Sequence, residues 1–132
     1  MESLDRLAEF LVDTSYKDIP KDVVEYAKDL TIDFVGEALA GTVTTVGQIM
    51  LARTKKNGGA REASVIGGGF KVPAAAATMA NTTIAHSTEL ESVGIKTGPN
   101  STMVHPAVLA LAEKLKLSGK DVLEATVLGQ EA

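Results

Sequence analysis

Pro73-Ala74-Ala75-Ala76-Ala77-Thr78-Met79-Ala80 lies just past the middle of the chain, and its reading decides how the rest must pack. Alanine loses no rotamer freedom on becoming helical, and proline is tolerated in a first turn, so the run is helical by propensity. A helix with small residues on every side offers its neighbours little bulk. It belongs deep in a bundle, where other helices approach it closely. The same helix extends towards Ala85-His86.

Working outward from it, Ala63-Ser64-Val65-Ile66 is short and partly β-branched, and Gly67-Gly68-Gly69 follows, which reads as an extended segment and a turn. A helix over 46–56 precedes it and is ended by Asn57-Gly58-Gly59. Pro20 opens a longer helix whose Val23, Ala27, Leu30, Phe34 and Ala38 recur at helical intervals, with Gly41 expected as its C-terminal cap. Ser3 is placed to cap a first helix to Asp13, with Leu4, Leu7, Ala8 and Leu11 on one face. On the other side, residues 91–104 carry Gly94, Gly98, Pro99 and Asn100 and read as a loop. Pro106 is expected to start a helix through Leu117, with Val108, Leu109, Leu111, Ala112 and Leu115 available for the core. Ser118 then caps a last helix, with Asp121 favourably placed near its N-terminus. The expected fold is all-α: one domain over residues 1–132, a bundle of about six helices.

Composition narrows the function classes. The chain has 132 residues, 45% apolar and 23% charged, the profile of a folded domain. Its net charge of −4 is uneven, with ten Asp or Glu against four Lys or Arg in residues 1–40. Acidity together with 4% aromatics leaves little footprint or stacking surface for nucleic acid. The basic group Arg53, Lys55, Lys56, Arg61 and Lys71 reads either as a solvated face or as one turned to an anionic substrate. With no cysteine, disulfides, thiolate metal sites and a Cys nucleophile are excluded within this stretch. Nothing resembles a signal peptide or a run of ~18 apolar residues, so no membrane partner and a cytoplasmic location are the default expectations.

Two phosphate-binding motifs fail on spacing. Lys71 after the glycine run is followed by Val72 rather than Ser or Thr, and no G-x-G-x-x-G opens a helix after a strand. The stretch from His86 to His105 holds more chemistry. His86, Glu89 and Glu91 are spaced H-x-x-E-x-E, which puts His86 and Glu89 one turn apart if the helix continues. Such a pair can ligate a divalent metal, but catalytic zinc usually takes three protein ligands, and nothing in the spacing requires His105 to be the third. Acid–base work asks less: a His and one or two carboxylates at a pocket can move a proton beside a carboxylate. The bland alternative is a packed His86 with solvated glutamates.

Several pieces together resemble the MmgE/PrpD family, which includes 2-methylcitrate dehydratase and cis-aconitate decarboxylase. They are Asp33-Phe34-Val35-Gly36-Glu37-Ala38-Leu39-Ala40-Gly41, Ala80-Asn81 with Ala85-His86, Val104-His105-Pro106-Ala107-Val108-Leu109-Ala110-Leu111-Ala112-Glu113, and Ser118-Gly119 with Leu123, Thr126-Val127 and Gly129-Gln130-Glu131. Their order and spacing carry the match. The resemblance implies the N-terminal part of a helical domain, without the lid domain that family members carry later in the chain. It further implies lyase chemistry on a di- or tricarboxylate with no cofactor and no metal, and a homodimer or pairing with a downstream polypeptide. Carried over by position, Glu89 stands at a catalytic Asp, Glu91 at a second Asp and His105 at the His of His-Pro. His86, Lys96 and Thr97 are then the substrate-binding candidates. The alternative reading is a non-catalytic helical interaction module, in effect a truncated, inactive paralogue.

Overall fold

The computed structural model describes residues 2–93 and 100–132. Among these, six α-helices carry the fold: α1 Glu2–Asp13, α2 Lys21–Gly41, α3 Thr45–Asn57, α4 Ala74–His86, α5 Asn100–Leu115 and α6 Gly119–Glu131. A 3-10 turn, Tyr16–Asp18, links α1 to α2, and a small hairpin, β1 Ala63–Val65 and β2 Phe70–Val72, links α3 to α4. The all-α expectation holds. The extended segment and turn are that antiparallel hairpin, in which Ala63 faces Val72 and Val65 faces Phe70.

The alanine-rich α4 is the centre of the molecule and packs against α2, α3, α5 and both strands. Ala77, Ala80, Ile84 and Ala85 are fully buried. One cluster joins Ala77, Ala80 and Ile84 to Ala63, Val65 and Val72 of the hairpin. A second joins Phe34 and Ala38 of α2 to Ala85. Asn81 locks the two parts together, since its side chain donates to the Ser64 carbonyl (3.0 Å) and accepts from the Ile66 amide (2.9 Å). The outward strand residues are held from the other side. Glu113 of α5 accepts from both the amide and the hydroxyl of Ser64 and pairs with Lys71, which gives that member of the basic group a structural partner.

Gly41 explains how closely the helices come. A Cβ there would lie 1.9 Å from the Ile84 carbonyl oxygen, so the backbones of α2 and α4 meet with no side chain between them. It is not the expected left-handed cap. Thr42 ends the helix in an ordinary helical conformation, and Gly41 is required by space rather than by φ. At the start of α6 the expected capping box is present: Ser118 and Asp121 each satisfy the other's amide.

Three further expectations need correction. Ser3 lies inside α1, which begins at Glu2, and the apolar face of that helix is largely unburied, with Leu4 70% exposed. α5 begins at Asn100, so residues 100–104 are helical and Pro106 sits inside the helix rather than opening it. Leu111 and Leu115 of the same helix point outwards, its buried residues being Ser101, Thr102, His105, Pro106, Ala110 and Ala112. No single helix among the described residues is long and apolar enough to cross a membrane.

Candidate active site

α4 ends at His86, and the chain leaves it through three successive turns. The amides of Ser87, Thr88 and Glu89 donate to the carbonyls of Ile84, Ala85 and His86. The Ser87 and Thr88 hydroxyls donate to the first two of these carbonyls as well, at 2.6 and 2.9 Å, so the helix end is satisfied without a glycine. Glu89 then adopts φ +54°, a left-handed conformation that a non-glycine residue holds at a cost of about 1 kcal/mol. This reversal brings the chain back on itself. His86 Nδ1 meets the Glu91 carboxylate, and ligand atoms of His86, Glu89 and Glu91 all lie within 4.8 Å of one another.

The three differ in surroundings. His86 and Glu89 are exposed, whereas the Glu91 side chain is only 4% exposed and its second oxygen has no hydrogen-bond partner. One imidazole nitrogen and two carboxylates in such proximity form a donor set that a divalent cation accepts. The same arrangement is also chemically able to pass a proton between solvent and a buried carboxylate.

Residue Ser92 fastens this loop to α2, its hydroxyl donating to Asp33 Oδ2 at 2.6 Å. One turn further along α2, Glu37 is 5% exposed. Burial, and then the negative charges of Asp33 and Glu91, push its carboxyl up to about 7. Periodicity does not single out these two acids, because an i, i+4 pair of carboxylates reads as the solvated side of a helix. The available signal is that Glu37 falls between Phe34 and Ala38, on the buried stripe itself.

His105, on α5, is fully buried and stacks on Phe34 of α2, with ring centroids 5.5 Å apart and planes inclined by 15°. Its Nδ1 lies 3.1 Å from the Ser101 carbonyl oxygen, and a carbonyl can only accept, so Nδ1 carries the proton. The other nitrogen, Nε2, is buried and has no hydrogen-bond partner among the described residues. Burial lowers the pKa of this imidazole, against the opposing pull of the Ser101 bond and the Asp33 charge. The result is a neutral ring with a free lone pair on Nε2.

The sequence-derived candidates therefore fall into two groups. His86, Glu89 and Glu91 come together directly. His105 stands apart from them among the described hydrogen bonds and is related to the loop through α2, where Asp33 binds Ser92 and its charge reaches His105. Its place in the second turn of α5 also removes it from the helix N-terminus at which Pro106 seemed to set it. Lys96 and Thr97 lie outside the described residues.

Comparison with known proteins adds a frame to this geometry. The family described as MmgE/PrpD N-terminal domain matches residues 5–132. Cis-aconitate decarboxylase from Aspergillus terreus is 33% identical over 121 residues, covering 87% of this chain and 25% of that protein. The cis-aconitate decarboxylase of Aspergillus terreus strain NIH 2624 / FGSC A1156 gives the same identity and coverage. The chain thus spans a quarter of the length of these curated relatives. No solved structure gives a significant match.

Proposed function

The chain belongs to the MmgE/PrpD family through its N-terminal domain, and from that premise we propose that it supplies one part of the active site of a cofactor-independent lyase acting on a di- or tricarboxylate. His105 is the observation that carries this reading. A neutral imidazole with Nδ1–H committed to a carbonyl and an unpartnered Nε2 is prepared to take a proton. Next to a carboxylate, such a group removes the proton from carbon in a dehydration, and its conjugate acid returns a proton to carbon in a decarboxylation.

Glu89 is the second member of the proton-transfer pair, exposed where a substrate can reach it. Glu91 and His86 form the hydrogen-bonded pair that orients it, and Ser92 holds their loop against α2. Lys96 and Thr97 are assigned to a substrate carboxylate. A homodimer, or pairing with a further polypeptide, completes the pocket in this reading. The relatives named as cis-aconitate decarboxylase make that acid the first substrate to try, with 2-methylcitrate and citrate as the dehydratase alternatives.

The test is to incubate the chain with each acid, following double-bond absorbance for turnover and chemical-shift changes for binding. Turnover or saturable binding that is lost in both Glu89→Gln and His105→Ala supports the lyase reading. Neither turnover nor binding even after the downstream polypeptide is added, or binding indifferent to both substitutions, decides for a helical interaction module.

A further inference from the structure

The turns that follow α4 bring one imidazole and two carboxylates to a single point. His86, Glu89 and Glu91 each present a ligand atom there, and the three atoms lie within 4.8 Å of one another. The segment that carries them is pinned on both sides. Ser87 shares a hydrogen bond with Thr44, the N-cap of α3 (2.8 Å), and Ser92 donates to Asp33 of α2 (2.6 Å). Of the three donors Glu91 is the fixed one. Its side chain is 4% exposed, one oxygen meets His86 Nδ1, and the other has no hydrogen-bond partner among the described residues. The contact with His86 turns this buried carboxylate towards the cluster and leaves half of its accepting capacity unused. Buried charges are paired or coordinate a metal. His86 and Glu89 are exposed and free to adjust to an ion.

Charge and donor chemistry select the ion. Asp33 and Glu37 stand on α2 beside this loop, and the charges of Asp33 and Glu91 both reach Glu37. Among the described ion pairs no Lys or Arg meets any of these acids, since the paired lysines go to Glu25, Glu62 and Glu113. A bound cation offsets negative charge of this kind. One imidazole nitrogen with two carboxylate oxygens suits zinc, which takes three protein ligands and leaves a fourth position to water. Bonds of about 2.0–2.1 Å set tetrahedral donors ~3.3 Å apart, a spacing compatible with one anchored and two adjustable side chains. We propose that His86, Glu89 and Glu91 form a binding site for a first-row divalent transition metal, zinc above all. The ion enters between His86 Nδ1 and Glu91 in place of their direct hydrogen bond. Binding rests on these side chains and not on the lyase reading. Where that reading also holds, the ion withdraws Glu89 from proton transfer, so it acts as an inhibitor and not as a cofactor.

The test titrates zinc, and separately magnesium, into the isotopically labelled chain at pH 7 in a buffer that binds neither. Zinc should bind at one ion per chain by calorimetry, with saturable NMR shifts in the His86 ring and in the amides of Thr88 to Glu91. Magnesium, which prefers oxygen donors and dehydrates reluctantly, should bind about tenfold or more weakly. His86→Ala and Glu89→Gln should each weaken zinc by about tenfold or more, the loss that removing even an outer-shell partner brings. Both residues are exposed, so neither substitution empties the core. The proposal is overturned if zinc does not saturate, or if the shifts centre on His105 instead. It also fails if magnesium binds as tightly, or if the affinity ignores both substitutions. Because the readout is binding of the ion alone, its failure leaves the lyase reading standing, and a chain without turnover still reports on the metal.

Discussion

The imidazole of His105 rests face to face on the ring of Phe34, so an aromatic residue of α2 sets the position of the basic nitrogen on α5. Both side chains are fully buried. Packing and chemistry are therefore joined in one contact.

Replacing Phe34 by Ala should cost about 3–5 kcal/mol in urea unfolding, the usual range for emptying a buried aromatic position. It should also displace the His105 ring signals in NMR spectra. Unchanged His105 shifts in a folded Phe34→Ala protein would show that the stack does not position the imidazole.

The His105 ring should be neutral at pH 6.5 and protonated on Nδ1, as the Ser101 contact requires. Because its folded pKa is depressed, its contribution to stability is present above the unfolded value and lost as pH falls through the folded one. Long-range ¹⁵N–¹H correlation reads the tautomer directly. An Nε2–H tautomer, or an imidazolium at that pH, would contradict the proposed base.

Glu37 works in the opposite direction. Its carboxyl titrates near 7 in the folded chain against an ordinary 4.5, so the folded state keeps a proton the unfolded state has released. The stability from this group is complete below pH 4.5 and declines as pH rises through 7, by roughly 3 kcal/mol at about 1.4 kcal/mol per pKa unit. Glu37→Gln cannot ionise. It should match the parent near pH 4.5 and exceed it in urea midpoint at pH 8. Equal midpoints at both pH values would sink this account of Glu37.

Much of the architecture is legible in the residue pattern. The alanine run, the stripe around Phe34, the Asn57-Gly58-Gly59 break and the Ser118/Asp121 cap each follow from local chemistry, and each has its counterpart in the fold. What the pattern misreads are places where tertiary packing overrules a local sign. Pro106 is a strong start signal, yet α5 reaches back to Asn100 and buries Ser101 and His105. Leu4 follows a helical stripe that finds little to cover it among the described residues, whereas Glu37, an acid, is buried. The His86–Glu91 cluster was visible as spacing. Its link to Asp33 and Glu37 was not, because those residues lie roughly fifty positions away and meet the loop only through the packing of α2 on α4.

Gly41→Ala tests that packing. The added methyl meets the Ile84 carbonyl oxygen at 1.9 Å, an overlap that backbone atoms relieve only by separating the helices. A loss of about 2–3 kcal/mol is expected, at the upper end for overpacking. A drop in melting temperature of only a degree or two would mean that α2 and α4 slide apart with ease.

The Gly41–Ile84 approach has a further consequence for the site. Most helix pairs are spaced by side chains, so drift in sequence can widen or narrow the gap by a methylene at a time. Here bare backbone sets the separation, and the pair acts as a fixed ruler. The loop after His86 hangs from one side of it and Asp33 and Glu37 stand on the other. Substitutions in and around that loop can change which acid faces which, but the span they must bridge stays the same.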